Sequence, residues 1–384
     1  MSQIATDFGQ LSAEWLSKLV QIPSVTPAQA GPRAGTAGEA AIAASIAQWF
    51  TELGGEVHVD TVHEGRPSVY GIWRGKSDQW AAVDVHTDTV GVEQMTTEPF
   101  SGDIREGRVW GRGAVDTKAT LGIVLALLDH MQGNGLQPAQ NLLIGATVDE
   151  EFGATGAPAF ARWIQKQVIP IDQMIVAEPT KCVPVYGHRG VARFRFTVRG
   201  EPAHSSQPDL GKNAIQAAAR IALAYAEEHA RLQQLGDQAA LGVAALTVTE
   251  IHGGTGINVV PDACIVSIDR RIVDGEDAVQ VIDRLVELAQ AQTELPLEVV
   301  RLRELDAFLE ASDSAWIQQL AQWSGNAPAS APYGTNAWAY RGIPKGCAVM
   351  GPGSIDQAHG AEEWVEVGEL AKMANVYAQW WELT

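Results

Sequence analysis

Residues able to do chemistry cluster in five short segments of this chain. In Val83-Asp84-Val85-His86-Thr87-Asp88 an apolar run leads straight into a histidine, with an aspartate two residues on. Imidazole is a good zinc ligand, and its second ring nitrogen needs an acceptor to fix tautomer and orientation, which Asp88 could supply. In Gly111-Arg112-Gly113-Ala114-Val115-Asp116-Thr117-Lys118, Asp116 follows a glycine-rich turn and precedes a helix. An N-cap aspartate is the plain alternative there, and the spacing departs from the GxxxxGK[ST] phosphate loop. Asp149-Glu150-Glu151 sets three acids in a row behind an apolar strand. Such carboxylates repel one another unless a cation or a proton sits between them; a solvated acidic loop is the bland reading. Glu178, in Ala177-Glu178-Pro179-Thr180, and His359, in the glycine-rich Gly351-Pro352-Gly353-Ser354-Ile355-Asp356-Gln357-Ala358-His359, each follow a further strand.

Jointly, His86, Asp116, Glu151, Glu178 and His359 offer two imidazoles and three carboxylates. That is ligation for two divalent ions sharing one carboxylate, and the mixed N/O set suits zinc, with cobalt or manganese as alternatives. Two ions ~3.5–4 Å apart can hold a hydroxide nucleophile and polarise a carbonyl. Glu150 is then left over as a general base.

These segments need a scaffold that brings strand ends together. Strands are expected at 57–62, 68–73, 80–85, 141–147 and 173–177, alternating with helices at 39–53, 118–130 and 158–167. That alternation predicts an α/β fold, a mostly parallel sheet with helices on both faces. From about residue 190 the order becomes β-α-β-β-α-β, that of a small ferredoxin-like α+β unit. Helix and strand resume beyond 305. The expected organisation is a catalytic domain formed by 1–189 and 306–384, with 190–305 inserted.

Composition limits the partners. Of 384 residues, 46% are hydrophobic and 19% charged, which is globular rather than disordered. Lys and Arg total 27 against 46 Asp and Glu, a net charge of -19. An acidic surface argues against nucleic acid and anionic membrane as partners, and no apolar run approaches the ~18–20 residues of a membrane span. Cys182, Cys264 and Cys347 are odd in number and far apart, so they read as buried thiols of a cytoplasmic protein.

The ordered set HTD, GRGAVDTK, DEEFGATG, AEPT and GPGSIDQAH resembles a family of dinuclear zinc amidohydrolases and exopeptidases. That family includes acetylornithine deacetylase, succinyl-diaminopimelate desuccinylase, aminoacylase and carboxypeptidase G. The last segment with its following Glu-Glu-Trp-Val is most similar to the acetylornithine deacetylase branch. The resemblance implies that His86 and Glu178 bind one zinc, that Glu151 and His359 bind the other, and that Asp116 bridges them. It implies Glu150 as the base, Asp88 behind His86, and a cis peptide bond after Asp116.

It further implies that the inserted domain is a lid through which the chain forms a homodimer. His204, in Ala203-His204-Ser205-Ser206, would reach the partner subunit's site and hold the oxyanion. Asn258 and Arg271 would bind the substrate carboxylate, with Arg270 facing solvent. Gly353 would line the substrate site, and Asn336, in a segment where relatives often carry an acid, would shape the side-chain pocket. His188 fits a hinge between domains. The substrate implied is an N-acyl amino acid, with a dipeptide as the main rival. A catalytically silent metal-binding protein and a nucleotide-dependent enzyme using Gly111–Gly113 are the readings from other classes.

Overall fold

The computed structural model describes residues 3–236 and 240–383. The chain divides into two compact units. One comprises the residues up to Tyr186, Glu310–Ala329, and those from Thr335 onward; the other comprises Gly187–Leu309 and Ser330–Gly334.

In the first unit four strands run parallel, in the spatial order Asn141–Thr147, Trp80–His86, Gln173–Val176 and Gly346–Val349. Arg66–Trp73 and then Glu56–His63 extend the Asn141–Thr147 side in antiparallel fashion. A strand buried on both faces needs apolar residues throughout rather than alternation. Trp80–His86 and Asn141–Thr147 are accordingly buried along their whole length. One face packs against the helices Gln3–Val20, Ala40–Glu52, Lys118–Gly133, Ala315–Ser324 and Val367–Trp380, whose Leu16, Phe50, Leu125, Trp316 and Tyr377 join one core cluster. The other face receives Gly156–Gln167. Phe160 of that helix stacks on Tyr70 with ring centroids 4.5 Å apart. Phe160 also lies so close to Gly145 that a Cβ there would come within 2.3 Å of its ring. This is the α/β architecture that the strand–helix alternation predicts, with antiparallel strands added at its flank.

A small antiparallel sheet of Trp364–Glu366, Arg108–Trp110 and Ile104–Arg105 is absent from the sequence-based expectation. Strands of two or three residues carry no readable period. The sheet pairs Trp364 with Trp110, and so holds the segment before Asp116 against the segment after His359.

The second unit follows the β-α-β-β-α-β order. Its four strands are antiparallel, arranged Ala245–Gly253, Ala263–Ile272, Gly190–Arg199, Leu297–Leu305. The helices Ala214–Gln234 and Ala278–Gln290 start at Asn213 and Asp277, whose side chains accept backbone N–H groups three residues on. Phe194, Phe196, Val266, Ile268, Ile221, Tyr225 and Ile282 form this unit's own core.

One expectation is reversed here. Arg270, expected to face solvent, is buried and paired with Glu276 at 2.6 Å. It shares its strand parity with Cys264, Val266, Ile268 and Ile272, which form the buried face. Alternation tells that neighbouring side chains point opposite ways, but not which face is covered.

Candidate metal centre

The metal-ligand candidates stand where parallel strands run out. His86 is the last residue of its strand, Glu178 lies two residues beyond Gln173–Val176, and the 149–151 acids follow Asn141–Thr147. Loops diverge at the carboxyl ends of such strands and open a crevice.

Asp116 sits between two imidazoles. His86 Nε2 lies 3.1 Å from Asp116 Oδ1, and His359 Nε2 lies 3.1 Å from Asp116 Oδ2. His359 Nε2 is also 3.1 Å from Glu151 Oε2. Ligand atoms of His86, Asp116 and Glu151 all lie within 4.8 Å of one another. Glu178 is buried beside them, near enough to feel the charges of Asp116, Glu150 and Glu151. The peptide bond from Asp116 to Thr117 is cis.

Burial and mutual repulsion shape the electrostatics of this cluster. Burial opposes ionisation of Asp116, yet its contacts to His359 and His86 keep its carboxyl below the usual range. Burial works against charge on His86 too, and the carboxylates of Asp116 and Asp88 beside it outweigh burial and raise its pKa well above the usual value. His359 is raised to about 10 by Asp116 and Glu151. Glu151 is pushed up to about 8 by burial and by Asp116, and burial with the charges of Asp116 and Glu150 raises Glu178 well above the carboxylate range. Two imidazoles do not neutralise this many packed acids. Divalent cations would, and an N/O donor set fits them.

Surrounding residues fix the cluster. Asp84, two residues before His86, is buried and accepts hydrogen bonds from Thr147 Oγ1 at 2.6 Å and Asn336 Nδ2 at 3.0 Å. Burial raises its pKa to about 6. Asn336 is therefore engaged beneath the strand end and is 2% exposed. Gly353 is also buried, with φ +78; a Cβ there would meet Val115 at 2.2 Å, so its loop packs on the residue before Asp116.

Asp88 stands behind His86, as expected, and does so mainly through its backbone. Its backbone carbonyl, 3.1 Å from His86 Nδ1, is the ring's nearer acceptor, with the carboxylate at 3.6 Å. The carboxylate also accepts the backbone N–H groups of Glu150 and Glu151, both at 3.0 Å.

In the second unit, His204 and Asn258 are brought together. His204 bridges to Val259, and Ser205 N–H donates to Asn258 O at 3.0 Å. Both side chains are exposed. Arg271 lies toward the opposite end of its strand and pairs with Asp269 at 2.9 Å. Eight residues of strand separate it from Ala263, roughly 25 Å at ~3.3 Å per residue. His188 is fully buried in this unit, its Nδ1 3.0 Å from Arg189 O.

Residues 82–383 match the model of Peptidase family M20/M25/M40. The chain belongs to this family. It is thus a hydrolase acting on amide bonds. An acetylornithine deacetylase from Myxococcus xanthus is 30% identical over 302 residues, 77% of each chain. One from Aliivibrio salmonicida is 26% identical over 351 residues, covering 89% of this M20 chain and 91% of that protein. An M20 family metallo-carboxypeptidase from Sulfolobus solfataricus superposes with a TM-score of 0.78 at 17% identity, over 100% of this chain and 99% of that one. This last likeness concerns the fold. No described helix is long and apolar enough to cross a membrane.

Sequence reasoning missed two groups around the M20 centre. Asp149 has φ +63 and is held by Arg66 Nη1 at 2.9 Å and Thr155 Oγ1 at 2.7 Å. Arg66 in turn makes a two-pronged bond to the buried Glu39 at 2.6 and 2.7 Å. This explains how three successive acids coexist: the first is neutralised by an arginine from another strand. Glu363 was visible only as part of Glu-Glu-Trp-Val, and its partner Arg112 only as part of a glycine-rich turn.

Proposed function

We propose that this M20 hydrolase is a two-zinc enzyme that removes the acyl group from an N-acyl-L-amino acid, with acetylornithine as the first candidate. The observation that carries the reading is the Asp116 carboxylate, one oxygen against His86 and the other against His359, inside a surplus of buried acids. His86 and Glu178 would hold one ion, Glu151 and His359 the other, and Asp116 both; cobalt or manganese fits the same donors. Bound there, the ions supply Lewis acidity for the amide carbonyl and lower the pKa of water.

The remaining chemistry belongs to side chains. Glu150, buried beside Glu151 and Glu178, takes a proton from water and returns it to the leaving nitrogen. Asp88 holds the Glu150 and Glu151 peptides still while that happens. His204 donates to the developing oxyanion, and Arg271 and Asn258 bind the substrate carboxylate, where a guanidinium fork matches two oxygens. Asn258 lies in the loop before Ala263, and Arg271 toward the other end of the strand that starts there. Their separation supports a homodimer, joined through the inserted unit, in which His204 and Asn258 serve the partner's site. Buried, unpaired cysteines fit a cytoplasmic setting.

A dipeptidase or carboxypeptidase-G-like enzyme would use the same centre. The names of the relatives at 26–30% identity favour deacylation. The deciding experiment is a panel of N-acetyl and N-succinyl amino acids and dipeptides, with released amine measured. N-acetylornithine should be turned over best. Preference for dipeptides would make the protein a dipeptidase, and no release from any member would refute the reading.

A further inference from the structure

The loop carrying Asp116 and the loop carrying His359 are joined by one buried ion pair. Arg112 is 1% exposed and Glu363 0%. Arg112 Nη1 hydrogen-bonds Glu363 Oε2. The other carboxylate oxygen, Oε1, accepts the backbone N–H of Val115 at 2.9 Å and of Asp116 at 3.1 Å. Arg112 Nη2 donates to Gly360 O at 3.3 Å, next to His359, and to Gly91 O at 3.2 Å. The backbone adds a further tie, Gly111 N–H to Glu363 O at 3.0 Å. A buried carboxylate saturated in this way fixes the peptides it accepts from, because any shift would strand a charge away from water.

We infer that Arg112 and Glu363 are positioning residues that hold the bridging carboxylate of Asp116 in register with His359. The inference rests on the proposed two-metal reading. Neither side chain touches a ligand atom of the cluster; both act through backbone. Glu363 sets the peptide that enters Asp116, and Arg112 spans from Glu363 to the carbonyl beside His359. The two ligands are far apart in sequence, so the distance between them depends on this cross-link and on the short Trp364–Trp110 sheet pairing. Residues that orient metal ligands from behind typically change metal affinity 10–100-fold when replaced.

Two full-length variants test this. Arg112→Lys keeps the charge opposite Glu363 but cannot present a fork to Gly91 and Gly360 as well. The double variant R112M/E363Q removes both charges together and keeps an acceptor for the 115 and 116 amides. Cobalt binding is titrated by absorption spectroscopy, thermal unfolding is followed without metal, and kcat and KM are measured separately. Expected for both variants are tenfold or more weaker binding of at least one cobalt, an altered cobalt spectrum, a lower kcat with KM near wild type, and metal-free unfolding close to wild type. Wild-type cobalt affinity, spectrum and kcat in a folded variant would overturn the inference. So would failure of both variants to fold, which would assign the pair to the fold alone. If the wild-type protein itself bound no cobalt, the two-metal reading would fall instead.

Discussion

Asp88 Oδ1 accepts the backbone N–H of Glu150 at 3.0 Å. The residue two positions past His86, a proposed metal ligand, therefore also holds the loop that carries the proposed base. Asp88→Ala should disturb both ends: metal affinity should fall ~10–100-fold, and turnover should stay low even at saturating zinc. Metal titration combined with turnover separates the two effects.

Glu150→Ala should retain two metals per chain, since Glu150 is not among the expected ligands. Loss of general acid–base catalysis should cost about 10²–10⁴-fold in kcat. Metal analysis beside single-substrate kinetics checks both halves. Unchanged turnover would remove Glu150 as the base.

Arg66 pairs with both Asp149 and Glu39, which are buried. Arg66→Ala leaves two buried carboxylates without their cation, which should destabilise the fold by about 3–5 kcal/mol. Denaturant unfolding reads this directly. A loss below about 1 kcal/mol would show that water reaches the pair.

His188 gives stability a pH dependence. Burial pushes its imidazole down to about 4 from the usual 6.5. The unfolded chain binds a proton there between about pH 6.5 and 4 while the folded chain does not. Stability is therefore intact above pH 6.5 and declines as pH falls through that window, by up to about 3 kcal/mol at ~1.4 kcal/mol per unit. His188→Gln should flatten this part of the unfolding-versus-pH curve, and an unchanged slope would contradict the assignment.

His204→Ala should lower turnover with metal content intact. Mixing it with Glu150→Ala, with subunit exchange confirmed, should restore part of the activity, because one of the two sites in a mixed dimer then has both groups. No recovery would place His204 outside the partner's chemistry.

Sequence legibility followed chemistry. His86, Asp116, Glu151, Glu178 and His359 stand out as candidates because each is a ligand-type residue at a strand end or in a glycine-rich loop, in a family order. The four parallel strands could be read because each is a mostly apolar run, broken in Trp80–His86 only by Asp84. Arg112–Glu363 and Arg66–Asp149 could not, since a contact between distant segments leaves no period. The burial of Arg270 was misread because parity lacks an origin until helices cover one face. Asn336 also donates its amide N–H to Asp84, and nothing local in the sequence announces that partner.

Asp116 is proposed to join two metal sites. Anomalous diffraction from zinc-loaded crystals tests it most directly. Two zinc peaks ~3.5–4 Å apart are expected, one ligated by His86 and Glu178, the other by Glu151 and His359, with one Asp116 oxygen on each. A single peak, or a pair that leaves Asp116 unligated, would contradict it.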